Sequence, residues 1–165
     1  MNTLSHWLFV VWASVVAICD CRSRRVSNAL VVAGLAAALA CASLRHGPFG
    51  ITLSQASLGA LVGLCALMPF FALGVMGAAD VKVFAVLGAW CGMHALPGLW
   101  IAASLIAGCH AVWLLVSTRT RLAAIGRSGE PTFELGGKRA TPYAACLTVP
   151  AMAWMGLQVF AVGVK

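Results

Sequence analysis

The sequence predicts an all-α integral membrane protein, a bundle of about six transmembrane helices with both termini on the non-cytoplasmic side. Three observations carry this. Of 165 residues, 62% belong to the apolar set AVILMFWYC and only 9% are charged, against about 25% charged in soluble domains. So few charges cannot cover a surface exposed to water, and the mean hydropathy is +0.97. The apolar residues fall into six stretches that lack the period-2 alternation of a β-barrel. Most approach the ~20 residues needed to cross about 30 Å of hydrocarbon. A soluble enzyme and a disordered chain are both excluded.

The first stretch, residues 4–19, has no Lys or Arg at its entry, Met1–Trp7, and precedes no A-x-A site, so a retained helix is expected rather than a cleaved signal peptide. The second (29–44) and the fourth (81–96) are, like the first, short for a span. They lean on flanking residues or end in a cavity lined by protein. The third (56–75) carries Gly59 and Gly63, and the fourth carries Gly88 and Gly92. Small residues four apart let two helices approach closely. The fifth (98–117) and sixth (142–164) flank the only long polar stretch, 119–141, read as a cytoplasmic loop within a single domain, 1–165. Trp7, Trp12, Trp90, Trp100, Trp113 and Trp154 fall mostly toward span ends, where interfacial anchoring is expected.

Orientation follows from the basic residues. Arg22, Arg24 and Arg25 follow span 1, Lys82 lies between spans 3 and 4, and Arg119, Arg121, Arg127, Lys138 and Arg139 lie between spans 5 and 6. These nine share one side, against Arg45 and Lys165 on the other. The odd-numbered loops are thereby cytoplasmic. The net charge of +7 then implies contact with anionic lipid headgroups and needs no nucleic acid. The seven cysteines form no C-x-x-C pair and the four histidines are scattered. Neither a disulfide framework, a metal site nor a cofactor is expected.

The acids are more informative because there are four. Glu130 and Glu134 fall in the polar loop, which leaves Asp20 at the close of span 1 and Asp80 at the opening of span 4. Both ends are cytoplasmic in the counted topology, so the two can meet at one membrane depth. An aspartate at membrane depth costs roughly 2.5–3.5 kcal/mol on insertion scales and usually faces a cavity. Two carboxylates in contact share a proton, one acting as base toward water and the other polarising a carbonyl. The simpler reading makes each an interfacial cap, or an ion-pair partner of Arg22 or Lys82. On their own helices, Asp80 sits at a positive N-terminus and Asp20 at a negative C-terminus, which favours Asp80 as the ionised member.

Around these acids the sequence resembles the type IV prepilin peptidases. Gly77-Ala78-Ala79-Asp80-Val81-Lys82 resembles their G-x-G-D-x-K motif. Asp20, followed by Arg22, Arg24, Arg25 and then Asn28, is similar to their first aspartate motif, with Ser27-Asn28 in place of Pro-Asn. The run from Lys138 and Arg139 through Pro142, Tyr143 and Ala144 resembles their basic-then-Pro-aromatic-Gly lead into the last helix. By this resemblance Asp20 and Asp80 are the catalytic pair, Gly77 shapes the turn, and Asn28 and Lys82 orient or anchor the loops. The implied substrate is a prepilin or pseudopilin in the same bacterial inner membrane, with a short basic leader cut at the cytoplasmic boundary. Nothing matches the zinc-binding and methyltransferase extension of the larger members. The small peptidase-only type of tight-adherence (Flp) pili is the implied class. Ala79 departs from the motif's glycine, which is expected to let the backbone bend. The same two acids also admit a catalytically inactive pilus-assembly relative, a proton-coupled transporter, or a presenilin-like protease.

Overall fold

A computed structural model of the chain describes residues 3–23, 25–124 and 143–163. Among these residues there are six α-helices, one 3-10 turn and no strand. The helices are α1 (Thr3–Ser23), α2 (Asn28–Ser43), α3 (Leu53–Ala72), α4 (Ala78–Cys91), α5 (Leu96–Ala124) and α6 (Tyr143–Gly163), with the 3-10 turn at Met93–Ala95 between α4 and α5. Three segments, Thr3–Ser23, Leu53–Ala72 and Met93–Trp113, are long and apolar enough to cross a membrane. Asn28–Ser43 and Tyr143–Val159 are shorter apolar helices. Apolar side chains such as Trp7, Val11, Ile18, Leu58, Leu61 and Leu105 stand exposed on the outer faces, as lipid-facing positions do. The protein is a multi-pass membrane protein.

Local chemistry explains where the helices start. Ser27 caps α2 by accepting the Leu30 N–H at 3.2 Å. Thr52 and Gln55 form a reciprocal capping box on α3, with Thr52 N–H donating to Gln55 Oε1 at 2.9 Å and Gln55 N–H to Thr52 Oγ1 at 3.4 Å, which satisfies two orphan donors. The expected single span at 81–96 is interrupted. Gly92 adopts φ 79°, a left-handed conformation open to glycine at no steric cost, so α4 stops at Cys91 and the chain turns into α5. At its other end α5 runs on through positions 119 and 121 to Ala124. Arg119 and Arg121 are therefore helical rather than part of a loop, and the rest of the expected loop, with Glu130, Glu134, Lys138 and Arg139, lies outside the described residues.

Helix α4 is the hub. Nine of its residues, including Val83, Phe84, Leu87 and Trp90, are buried, as expected of a helix apolar on every side. It packs most extensively on α3 and also meets α2 and α6. The α3–α4 seam is glycine on glycine, as the four-residue spacing predicted: a Cβ at Gly59 would run into the Gly88 carbonyl, and one at Gly88 into that of Gly59. A Cβ at Gly63 would lie 2.9 Å from the Phe84 carbonyl oxygen. Helix α2 approaches α1 where Gly34 leaves room for the Trp12 indole, whose Nε1–H donates to Leu30 O at 3.0 Å. Trp12 and Trp90 are accordingly core residues, 6% and 1% exposed, and not interfacial anchors. Trp12 lies near the middle of α1 and Trp90 one residue from the end of α4, each on a face that turns inward.

Candidate active site

Asp20 falls in the last turn of α1 and is 5% exposed. Burial at that depth demands a hydrogen-bond partner, and its own helix has none to give, because a helix C-terminus presents carbonyls. The donor comes from α6: Ala145 N–H bonds to Asp20 Oδ2 at 2.9 Å. Asp80 occupies the first turn of α4 and is half-buried. Its carboxylate reaches back to the N–H of the helix-capping residue, Gly77, and across to the N–H of Ala144. The two aspartates therefore lie on consecutive amides of the first turn of α6. They are also within electrostatic reach of one another, so the structure brings the pair together.

Helix α6 has no described capping side chain at this end, and two of its N-terminal N–H groups, which no intrahelical carbonyl can serve, are taken by the two carboxylates. A further helix end bears on both acids, beside the contrast read from α1 and α4, with charge favoured on Asp80 and disfavoured on Asp20. The positive end of α6 faces both acids.

The supporting motif residues separate into two groups. Lys82 Nζ donates to Asn28 Oδ1 at 2.8 Å, an exposed bond that ties the first turn of α4 to the first residue of α2. Lys82 is thus turned to Asn28 rather than paired with an aspartate. Gly77 has φ −74°, which any residue adopts, so it is not needed for a special turn. It gives room instead, since a Cβ there would lie 3.1 Å from Asp80 Oδ2. Ala79 is an ordinary residue of the first turn of α4, and among the described residues only Arg45 is a non-glycine with positive φ. The bend expected to require glycine at position 79 is absent.

Further residues complete the site. Tyr143 and Ala144 stand in the third sequence motif, yet their part here was not legible from it, and Ala145 lies beyond that motif. Ala144 and Ala145 act through backbone amides, which carry no residue signature. The Tyr143 hydroxyl shares a hydrogen bond with Ser104 Oγ of α5 at 3.1 Å. Thr148, fully buried one turn further on, donates to the carbonyls of Ala144 and Ala145 at 3.1 and 3.2 Å. The Ala144 carbonyl belongs to the same peptide unit as the Ala145 N–H, so the amide that holds Asp20 is bonded on its carbonyl side as well, by a hydroxyl shared between two carbonyls. Cys146 is within electrostatic reach of both aspartates and of Cys21.

Comparison with known proteins identifies the family. No curated protein and no solved structure matches the chain significantly. The family model described as the type IV leader peptidase family matches residues 7–112, more than half the chain and a span that includes Asp20, Asn28, Gly77, Asp80 and Lys82. The matched span reaches from the first turns of α1 well into α5, and the chain belongs to the type IV leader peptidase family.

Proposed function

We propose that this protein is an aspartic endopeptidase that removes the short basic leader from a prepilin or pseudopilin at the cytoplasmic boundary of the bacterial inner membrane, as in the peptidase-only members of Flp pilus systems. One observation carries the reading: the only two aspartates of the chain, sixty residues apart in sequence, are held by adjacent backbone amides at one helix end. Each amide occupies one lone pair and leaves carboxylate oxygens free for chemistry. A carboxylate pair at such range does not ionise twice with ease and shares a proton. The ionised member takes a proton from a water as it attacks the scissile carbonyl. The protonated member donates to the carbonyl oxygen, and proton return to the departing amine completes cleavage. The pair titrates as a unit.

The cytoplasmic orientation rests on the count of basic residues, which assigns the loops after α1 and before α4 to the positive side. Both aspartates adjoin those loops. A basic leader on that side, followed by an apolar helix in the membrane, presents its boundary peptide at their level. Anionic lipids meet the same loops.

The test is co-expression with a prepilin carrying a basic leader, read by the mass of the mature product, for wild type, Asp20→Asn and Asp80→Asn at matched membrane levels. Cleavage at the boundary that falls about 10³-fold or more in both variants, the scale of lost general acid–base catalysis, is the expected result. Persistent cleavage in either variant overturns the aspartate pair as the catalytic machinery, and no cleavage by wild type with several prepilins overturns the reading in favour of an inactive assembly relative.

A further inference from the structure

We infer that Tyr143 is a positioning residue whose hydroxyl, latched to Ser104 of α5, sets how the two aspartates are held against the first turn of α6. The inference rests on the proposed catalytic pair and deepens it. Tyr143 is the first residue of α6, and the next two residues supply the amides that hold the carboxylates, Ala144 to Asp80 and Ala145 to Asp20. A rotation of the first turn by part of one residue would move both amides together. Such a turn frays easily, because its N–H groups have no partner within the helix.

Two tethers oppose that motion. Thr148 ties the carbonyls of Ala144 and Ala145 from within the helix and so stiffens the turn without fixing its place in the bundle. The Tyr143–Ser104 bond at 3.1 Å links the turn to a different helix and does fix its place. Ser104 lies on α5, which packs on α6, between the buried Ala103 and the exposed Leu105 and Ile106, and is itself exposed. Helix α5 touches α4 only slightly, so Tyr143 is the described polar link between α5 and the site. A displacement of α5 reaches the aspartates through this hydroxyl pair.

The consequence is specific. Without the latch the amides lose their fixed division between the carboxylates, one to each, and the proton is shared differently. Turnover and its pH dependence change while substrate affinity, which depends on the surrounding helices, does not. Among the described residues, the titratable groups within electrostatic reach of the pair are Tyr143, beside Asp80, and Cys146, beside both aspartates and Cys21, while Lys82 is engaged by Asn28. Tyr143→Phe removes only the hydroxyl, so any change in the pH profile must come through position or through loss of that one phenol. Ser104→Ala separates the two, because it breaks the latch and keeps the phenol.

The experiment uses the full chain in nanodiscs and compares wild type, Tyr143→Phe, Ser104→Ala and the double variant. Cleavage of a prepilin gives kcat, KM and the pH profile. Difference infrared spectroscopy of the carboxyl band, assigned with Asp20→Asn and Asp80→Asn, gives the titration of the pair without substrate. One hydrogen bond of about 1 kcal/mol net corresponds to about a fivefold fall in kcat. That fall is expected in both single variants with KM unchanged, with a shifted carboxyl titration, and with a double variant no worse than either single. Unchanged titration in both single variants overturns the latch, as do additive losses in the double. If wild type cleaves no prepilin, the infrared titration still decides the latch, and only the peptidase reading fails.

Discussion

Two helix convergences in the molecule are made by opposite means. At the α6 end, α1, α4 and α6 converge on polar groups: two carboxylates, each accepting hydrogen bonds from backbone amides. Along the α3–α4 seam the helices meet through what is missing, with Gly59 against Gly88 and Gly63 against the Phe84 carbonyl. In a bilayer, apolar side chains gain nothing by leaving lipid for one another, and small residues permit the backbone contact that drives helix association. The seam therefore supports the fold, and the convergent end uses that rigidity to hold groups that would repel one another. Changes at the two places should separate stability from activity.

The largest effects test that separation directly. Asp20→Asn keeps an oxygen acceptor for the Ala145 amide, so the variant should match wild type in thermal unfolding in detergent while cleavage is lost about 10³-fold. Gly88→Ala should do the reverse. Its Cβ meets the backbone of Gly59, which cannot rotate away, and overpacking of this kind costs roughly 1–3 kcal/mol. A lowered unfolding temperature is expected, with the specific activity of the surviving folded fraction retained. Gly98→Ala is the internal control, since a Cβ there meets nothing within 4 Å. It should be neutral or raise stability slightly through helix propensity. Equal losses at Gly88 and Gly98 would break the account of the seam.

The same contrast explains what could be read before the structure. Asp20 and Asp80 stand out because a chain this apolar has almost no acids, and their positions at span ends place them at one depth. Gly59 and Gly88 are legible through spacing, although spacing alone does not pair α3 with α4. The donors of Ala144 and Ala145 are not legible, since every residue but proline has the same N–H and only the fold selects two of them. Gly92 was visible but lies inside an unbroken apolar run, so the end of α4 was overrun by hydropathy. Trp12 and Trp90 depart from the expected interfacial role because a tryptophan in an apolar helix has the same sequence signature whether it faces lipid or core. Only the partner cavity, Gly34 for Trp12, decides between them.

A smaller effect is expected at the bond between Lys82 and Asn28. It is exposed, and hydrogen bonds to charged groups are worth about 1.5–3 kcal/mol only when water does not compete. Lys82→Met and Asn28→Ala should each lower cleavage by about two- to fivefold, within the lower range of a single net hydrogen bond, and the double variant should equal either single. The measurement is kcat/KM for one prepilin in a double-mutant cycle. Losses as large as those of the aspartates would move Lys82 into the chemistry and make the polar end a three-residue site.

The smallest effect belongs to Ala79→Gly, and its sign is the informative part. If the motif's glycine served to bend the chain, restoring it would speed cleavage. In this protein position 79 lies in the first turn of α4 with no positive φ, and Asp80 is already directed to the amides of Gly77 and Ala144. Glycine there would only loosen the turn, at a cost of up to about 1 kcal/mol in helix propensity. The expected outcome is unchanged or slightly reduced kcat, with unfolding at a slightly lower temperature. A rise in kcat of tenfold or more would mean that the carboxylate must move during the reaction and that Ala79 holds it back. The polar end would then be a hinge, in contrast to the rigid seam that supports it, and not its equal in rigidity.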